Sequence, residues 1–304
     1  MEMRPIGSLQ VSVVGLGCNN FGGRLDEAST ARVVHAAIDA GINFFDTADI
    51  YGGTKSETFM GKALVERRDE IFLATKFGIK LNDQRLGGAH PDYIKIAVEE
   101  SLQRLQTDRL DLYQLHKPDP EVPIADTLGA LDGLVKAGKL REIGCSNFSA
   151  EQLREAEAAA TGAKFVSVQN HFSLLHREAE GDAVPECERL GLAFLPYFPL
   201  ANGLLTGKYR KGQSLPEGSR ITAEGNFGSW LSDSNLDKVE ALIQYAEARG
   251  HTLLDLAFGW LLAKPVVASV IAGATKIEQI AANVAAANWK MSPEEVAEID
   301  RIAA

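Results

Sequence analysis

One pattern recurs along this chain and narrows its folding options more than any other feature: a short apolar run, a polar loop, then a segment with apolar residues at helical spacing. The apolar runs are VSVVGLG from Val11, NFFDTA from Asn43, IFLATKF from Ile71, LDLYQLH from Leu110, REIGCSN from Arg141, FVSVQN from Phe165, AFLPYFP from Ala193 and ASVIAGA from Ala268. The repeat is structural, since the residues themselves do not recur. Strands that alternate with helices favour a parallel sheet, because parallel neighbours need a crossover connection. Eight such units within 304 residues fit a closed (β/α)₈ TIM barrel of the α/β class better than an open doubly wound sheet, which commonly has fewer strands and a second domain.

Several helix ends are readable. Residues 26–40 carry an apolar stripe of Val33, Val34, Ala37 and Ile38 and stop at Gly41. The segment after His90 puts Ile94, Val98, Leu102 and Leu105 on one face. Ser149 with Gln152, and Ser292-Pro293 with Glu295, form capping boxes. Two stretches lie outside the repeat. MRPIGSLQVS reads as a β-hairpin around Gly7-Ser8, able to plug the amino-terminal end of the barrel. Residues 201–236 form a connection after the seventh strand too long for an ordinary loop, and a functional role is expected of it. No linker or low-complexity tract divides the chain, so residues 1–304 are expected to form a single domain.

Composition removes several classes of function. The formal net charge is -10 and the basic residues are scattered, which argues against nucleic acid and anionic membranes as partners. The amino terminus has no apolar core of signal-peptide length, and the stretch LLDLAFGWLLA is interrupted by Asp255 and too short to span a bilayer. A cytoplasmic location is expected, in keeping with three cysteines, Cys18, Cys145 and Cys187, without C-x-x-C spacing. The six histidines show no metal-binding spacing, so no metal is expected.

In a barrel of this kind the chemistry sits at the carboxyl ends of the strands. The second strand ends in Asp46, with Tyr51 on the loop beyond it; the third ends in Lys76 and the fourth in His116. Singly, each has an ordinary structural use: Asp46 could cap a turn, Tyr51 pack half-buried, His116 satisfy a core polar group. Lys76 is harder to place, because a lysine that follows Ile71, Phe72, Leu73, Ala74 and Thr75 is directed into a core, where an ammonium needs a partner. Asp46 on the neighbouring strand can supply it. A phenol titrates near pH 10, and a nearby ammonium favours phenolate and lowers that value. A phenol so tuned, beside an imidazole donor, suits protonation of a carbonyl oxygen under nucleophilic attack at its carbon.

With these groups in view, the ordered segments GINFFDTADIYGGTKSE, ATKFG, LDLYQLHKPDP, GKLREIGCSNFS, SVQNHFSLLHRE, YFPLANGLLTGKY and VIAGATKIEQIAANV resemble the aldo-keto reductases over almost the whole chain. The resemblance implies NADPH-dependent reduction of an aldehyde, ketone or sugar, with Tyr51 as general acid, Lys76 and Asp46 as its tuning pair and His116 as the donor that orients the carbonyl. It also implies cofactor contacts: Ser146, Asn147 and Gln169 to the carboxamide, Tyr197 stacked on the nicotinamide, and Leu200, Gly203 and Lys208 along the pyrophosphate. Arg220 matches an arginine of the branch that includes potassium-channel β subunits, while Gly273, Thr275, Lys276, Gln279 and Asn283 fall where the family holds the adenosine and its 2′-phosphate. Two positions depart from the common pattern: Gln279 stands where many members have arginine, and Ala282 replaces a common glutamate. Lys276 and Arg220 supply cations for a 2′-phosphate, which favours NADPH, with NADH still possible.

Three other readings compete. A cofactor-binding regulatory subunit of the same fold would show little turnover, but the channel branch lacks the histidine present here as His116. A Schiff-base aldolase would use Lys76 as nucleophile, yet an aspartate beside it raises its pKa. A Rossmann reading of GLGCNNFGG fails because Asn20 stands where G-x-G-x-x-G requires glycine. Substrate choice would fall to loops 19–24, 78–90 and 201–236, whose Phe21, Phe77, Phe227 and Trp230 could equally be apolar walls or pins that hold the loops down. Oligomeric state is not legible.

Overall fold

Side chains alternate across a strand, and here the alternation separates two cores. A computed structural model describes residues 1–79, 87–216, 221 and 228–304. It contains a hairpin of β1 (Met3–Ile6) and β2 (Leu9–Ser12), then β3 (Val14–Gly17), β4 (Phe44–Asp46), β5 (Phe72–Phe77), β6 (Leu110–Leu115), β7 (Leu140–Ser146), β8 (Phe165–His171), β9 (Ala193–Tyr197) and β10 (Val270–Gly273). The last eight strands pair in parallel in the order β10-β3-β4-β5-β6-β7-β8-β9. The ring closes where the Phe194 N–H donates to the Val266 carbonyl (2.8 Å) and the Ala268 N–H to the Phe194 carbonyl (3.1 Å). The sheet is thus the expected (β/α)₈ barrel, with helices between its strands.

Phe45, Leu73, Phe77 and Tyr113 point outward into the large core beneath the helices. Phe44, Ala74, Leu112, Leu195 and Ile271 point inward and join Ile6, Leu9 and Val11 of the hairpin in a second apolar cluster. The hairpin therefore plugs the barrel, and each of its three buried side chains contributes roughly 1.5–3 kcal/mol by leaving water. Gly7 makes the turn at φ +54, where an added Cβ would lie 2.6 Å from the Glu142 carboxylate. The Arg4 guanidinium ties the hairpin to the carbonyls of Leu262 (2.8 Å) and Val267 (2.7 Å). Two residues further along the strands the inward positions turn polar, giving Asp46, Lys76 and Gln114 above Phe44, Ala74 and Leu112. That change sets the floor of the site.

The helix signals match local chemistry. Asp26 accepts from the Ser29 N–H ahead of helix Glu27–Asp39, and Gly41 follows it at φ +85. The Ser149–Gln152 and Ser292–Glu295 boxes form with both bonds present. The eighth barrel strand begins at Val270 rather than Ala268 and the fourth ends at Leu115, one residue before His116, and two further boundaries differ for visible reasons. Val11 belongs to the hairpin and the barrel strand begins at Val14, because the Ser12 N–H is taken by Asn43 Oδ1 (2.7 Å) and Ser12 Oγ donates to the Val14 carbonyl (2.7 Å), which turns the chain between them. The connection expected over 201–236 ends sooner: Ser232 caps helix Asp233–Glu247 by accepting from the Asn235 N–H. Among the described residues no helix is long and apolar enough to cross a membrane, and no group of three potential metal ligands occurs.

Candidate active site

The inward polar positions converge on one carboxylate. Asp46 Oδ2 accepts from Lys76 Nζ (2.6 Å), and Asp46 Oδ1 accepts from both Gln114 Nε2 and Gln169 Nε2 (3.0 Å each). Lys76 also donates to the Thr47 carbonyl (2.9 Å) and reaches Tyr51 Oη at 3.5 Å. Its side chain is 1% exposed. Burial alone would pull the Lys76 pKa down, but the charge of Asp46, then Tyr51 and the hydrogen bonds to both, raise it above the ordinary lysine value. The ammonium is held charged.

The loop that carries Tyr51 is tightly positioned. Ser56 Oγ donates to the Cys18 carbonyl (2.9 Å) and meets Thr47 Oγ1 (2.8 Å), and the Ser56 N–H closes on the Tyr51 carbonyl (3.2 Å). Gly52, at φ +59, presses so close to the 21–22 turn that a Cβ would stand 2.4 Å from the Phe21 carbonyl. Tyr51 departs from expectation in one respect. Its pKa is raised, because burial outweighs the downward pull of Lys76. The low dielectric that strengthens the Lys76 pair also disfavours phenolate, and a lowered phenol is not what this environment produces.

His116 meets Tyr51 edge to face, ring centroids 6.1 Å apart at 81°. Burial, then the cations of Lys76 and Lys117, push its pKa down to about 3, so the imidazole is neutral near pH 7. Its Nδ1 is buried without a partner. Its carbonyl accepts from Asn147 Nδ2 (2.9 Å).

These groups border a cavity of about 640 Å³ at the carboxyl ends of the strands. Asp46, Tyr51, His116, Ser146, Asn147, Gln169, Tyr197, Leu200, Gly203, Lys208, Gly273, Thr275 and Gln279 line it, and Lys76 lies just behind. Lys276 and Asn283 do not line it, Asn283 being buried on the inner face of helix Ile277–Ala286. Arg220 and Phe227 lie outside the described residues. Several polar groups on the wall are already engaged: Ser146 Oγ donates to the Gln169 carbonyl (2.6 Å), Tyr197 Oη donates to Asn147 Oδ1 (2.8 Å), and Gln279 Oε1 accepts the N–H groups of Thr275 (2.7 Å) and Lys276 (3.1 Å).

Sequence reasoning passed over Gln114 and Asn202. Gln114 reads as one polar residue in an apolar strand, and the only signal for it is its place one inward step before His116. Asn202 is 5% exposed, lines the cavity, and has neither its side-chain nitrogen nor its oxygen partnered. It belongs to a left-handed run of Ala201 (φ +46), Asn202 (φ +56) and Gly203 (φ +95), with Phe198 at φ +50 just before. Each non-glycine residue held this way costs of order 1–3 kcal/mol, the kind of strain that collects at ligand clamps. The aromatic residues expected near the mouth are mostly pins. Phe21 is in the core, Phe77 stacks on Tyr113 (4.6 Å) on the outer face of the sheet, and Trp230 tilts onto His171 (5.6 Å).

Comparison with known proteins gives one consistent answer. The aldo/keto reductase family model matches residues 13–304. The probable aldo-keto reductase 1 of Glycine max is 35% identical over 298 residues, 95% of this chain and 85% of that protein. Among solved structures, the glycerol dehydrogenase AKR11B4 from Gluconobacter oxydans is similar with a TM-score of 0.84 and 30% identity, covering 99% of this chain and 94% of that one. The holo form of the aldo-keto reductase AKR11C1 from Bacillus halodurans gives a TM-score of 0.82 and 33% identity, covering 99% and 96%. With a matching barrel and family likeness from end to end, the chain belongs to the aldo/keto reductase family of oxidoreductases.

Proposed function

We propose that this protein reduces a small aldehyde or ketone, a sugar among the candidates, to its alcohol with NADPH, NADH being the second choice. The observation that carries the reading is the buried Lys76 ammonium, bonded to Asp46 and within reach of Tyr51 Oη at the floor of the cavity. The cavity suits a dinucleotide. Asn202 offers an unpartnered amide, Lys208 a cation, and Gly203 and Gly273 a backbone without side chains over which a phosphate-bearing chain can pass. Asn147 and Ser146 would hold the carboxamide, and Tyr197 would stack on the nicotinamide. Gln169 lines the same wall, although its Nε2 is committed to Asp46.

When bound, the nicotinamide supplies the hydride that reduces the carbonyl carbon. The chain's own residues handle the oxygen. His116, kept neutral, donates a hydrogen bond that fixes the carbonyl toward Tyr51. Tyr51 Oη gives its proton to the oxygen as negative charge develops there, and Lys76 stabilises the phenolate left behind. Asp46, held by Gln114 and Gln169, keeps Lys76 charged and in place. The three free, buried cysteines accord with a reducing, cytoplasmic setting.

The test is to mix the purified protein with NADPH or NADH and a panel of aldehydes, ketones and sugars and to follow the cofactor absorbance at 340 nm. Oxidation that depends on the carbonyl is expected. Cofactor binding without turnover on any member of the panel would instead favour a regulatory, cofactor-binding protein of the same fold.

A further inference from the structure

Tyr197 and His171 are register partners on β9 and β8, so their side chains rise from neighbouring strands on the same side of the sheet. Their rings lie parallel, centroids 5.2 Å apart at 14°. Beyond β8 the chain doubles back, with Ser173 and His176 exchanging backbone hydrogen bonds of 3.0 and 3.1 Å. That turn brings the His176 ring onto His171 at 3.5 Å and 14°. The rings thus stack in the order Tyr197, His171, His176, and Glu178 Oε2 holds the outer one at His176 Nε2 (2.7 Å). Phe198 and Trp230 close on His171 from the sides, each at 5.6 Å.

Of the three stacked rings only Tyr197 lines the cavity. His171 therefore acts on a ligand only through its neighbour. Burial, then His176, push its pKa down to about 4, which keeps the ring neutral, and its Nε2 is buried without a partner. The hydrogen bond from Tyr197 Oη to Asn147 Oδ1 (2.8 Å) fixes the tip of the tyrosine. It does not fix the plane of the ring, because the χ2 axis runs through Oη and that torsion is broad. A flat surface alongside does fix it.

We propose that His171 is a positioning residue for cofactor binding: backed by His176, it sets the plane of the Tyr197 ring and so presents one face of that ring to the nicotinamide. The inference rests on the cofactor site proposed above. A parallel ring contact is worth a factor of roughly 2 to 12 in an equilibrium constant. The loss of that preorganisation should appear in cofactor affinity and not in the chemical step.

The experiment titrates the full-length protein with NADPH, following fluorescence, and measures steady-state kinetics for wild type, His171→Leu, His171→Phe, Tyr197→Leu and the double variant His171→Leu/Tyr197→Leu. His171→Leu is expected to raise the Kd and KM for NADPH about 5- to 10-fold with kcat within about twofold, while His171→Phe, which keeps a flat face, stays within about twofold of wild type. In the Tyr197→Leu background the effect of His171→Leu should vanish, since nothing is left to orient. A purely structural role would lower affinity equally in both backgrounds. Unchanged Kd in His171→Leu, a His171→Phe as weak as leucine, or an undiminished effect without Tyr197 would each overturn the proposal. His171→Met serves in the same comparison should leucine not fold. A wild type that binds neither NADPH nor NADH overturns the cofactor site and this inference together, whereas tight wild-type binding without coupling overturns this inference alone.

Discussion

The Lys76 ammonium lies 2.6 Å from the Asp46 carboxylate, with the two side chains 1% and 5% exposed. A pair sealed this well is bound by its desolvation: either partner alone is a buried, uncompensated charge. Lys76→Met should cost about 3–5 kcal/mol in urea denaturation. Lys76→Met combined with Asp46→Asn, which removes the charge but keeps Oδ1 to accept from Gln114 and Gln169, should recover most of that stability while leaving NADPH oxidation abolished. A double variant no more stable than the single one would show that the pair is not the source of the loss.

Tyr51 Oη, the proposed proton donor, lies 3.5 Å from that ammonium. Tyr51→Phe keeps the ring that meets His116 and removes only the hydroxyl. Turnover is expected to fall by roughly 10²- to 10⁴-fold, with the Kd for NADPH essentially unchanged because binding does not need the proton. Full activity in this variant would remove Tyr51 from the mechanism.

Gln114 and Gln169 share one oxygen of Asp46. Gln114→Leu takes away a buried donor and leaves Gln169 alone there, at a cost of about 1–3 kcal/mol in stability. Because the effect passes through Asp46 to Lys76, kcat should drop, on the order of tenfold for a loss of about 1.4 kcal/mol at the transition state, while the cofactor Kd holds. Equal losses in kcat and cofactor affinity would point to general disruption of the barrel.

Asp49 has no part in the proposed chemistry, yet it is buried on the loop between Asp46 and Tyr51, with Oδ1 unpartnered. Burial, then the negative charge of Glu57, raise its pKa to about 7, against the opposing pull of Arg104, the Ile50 N–H and Lys76. The unfolded chain loses this proton near pH 4, whereas the folded one keeps it to about pH 7. Over that window the native state binds more protons than the unfolded state, so stability falls as pH rises and levels off above it. Between pH 5 and pH 8 the wild type should lose roughly 2–3 kcal/mol from this group. Asp49→Asn, neutral throughout, should flatten that slope in urea midpoints taken at both pH values. An identical slope in the variant would place the proton elsewhere.

Much of this molecule is legible in its sequence, and the reasons are local. Apolar runs with intervening helical periodicity specify eight strands and their crossovers, because a parallel sheet has few other ways to connect. The caps at Ser149 and Ser292 satisfy helix-end N–H groups three residues away, so spacing alone reveals them. Lys76 betrays itself by sitting where no ammonium can be hydrated, and the ordered motifs around it carry the family.

What the sequence by itself determined, then, is the barrel, the plug and the identity of the groups at the strand ends. Tertiary structure decided how those groups are used. Gln114 and Gln169 are 55 residues apart and meet on Asp46 only because β4, β6 and β8 lie in one closed ring. Phe77 faces the helices and Trp230 packs on His171, and neither lines the described cavity. The pKa of Tyr51 rises because burial outweighs the nearby ammonium, a balance of desolvation against charge that depends on distances no linear spacing contains.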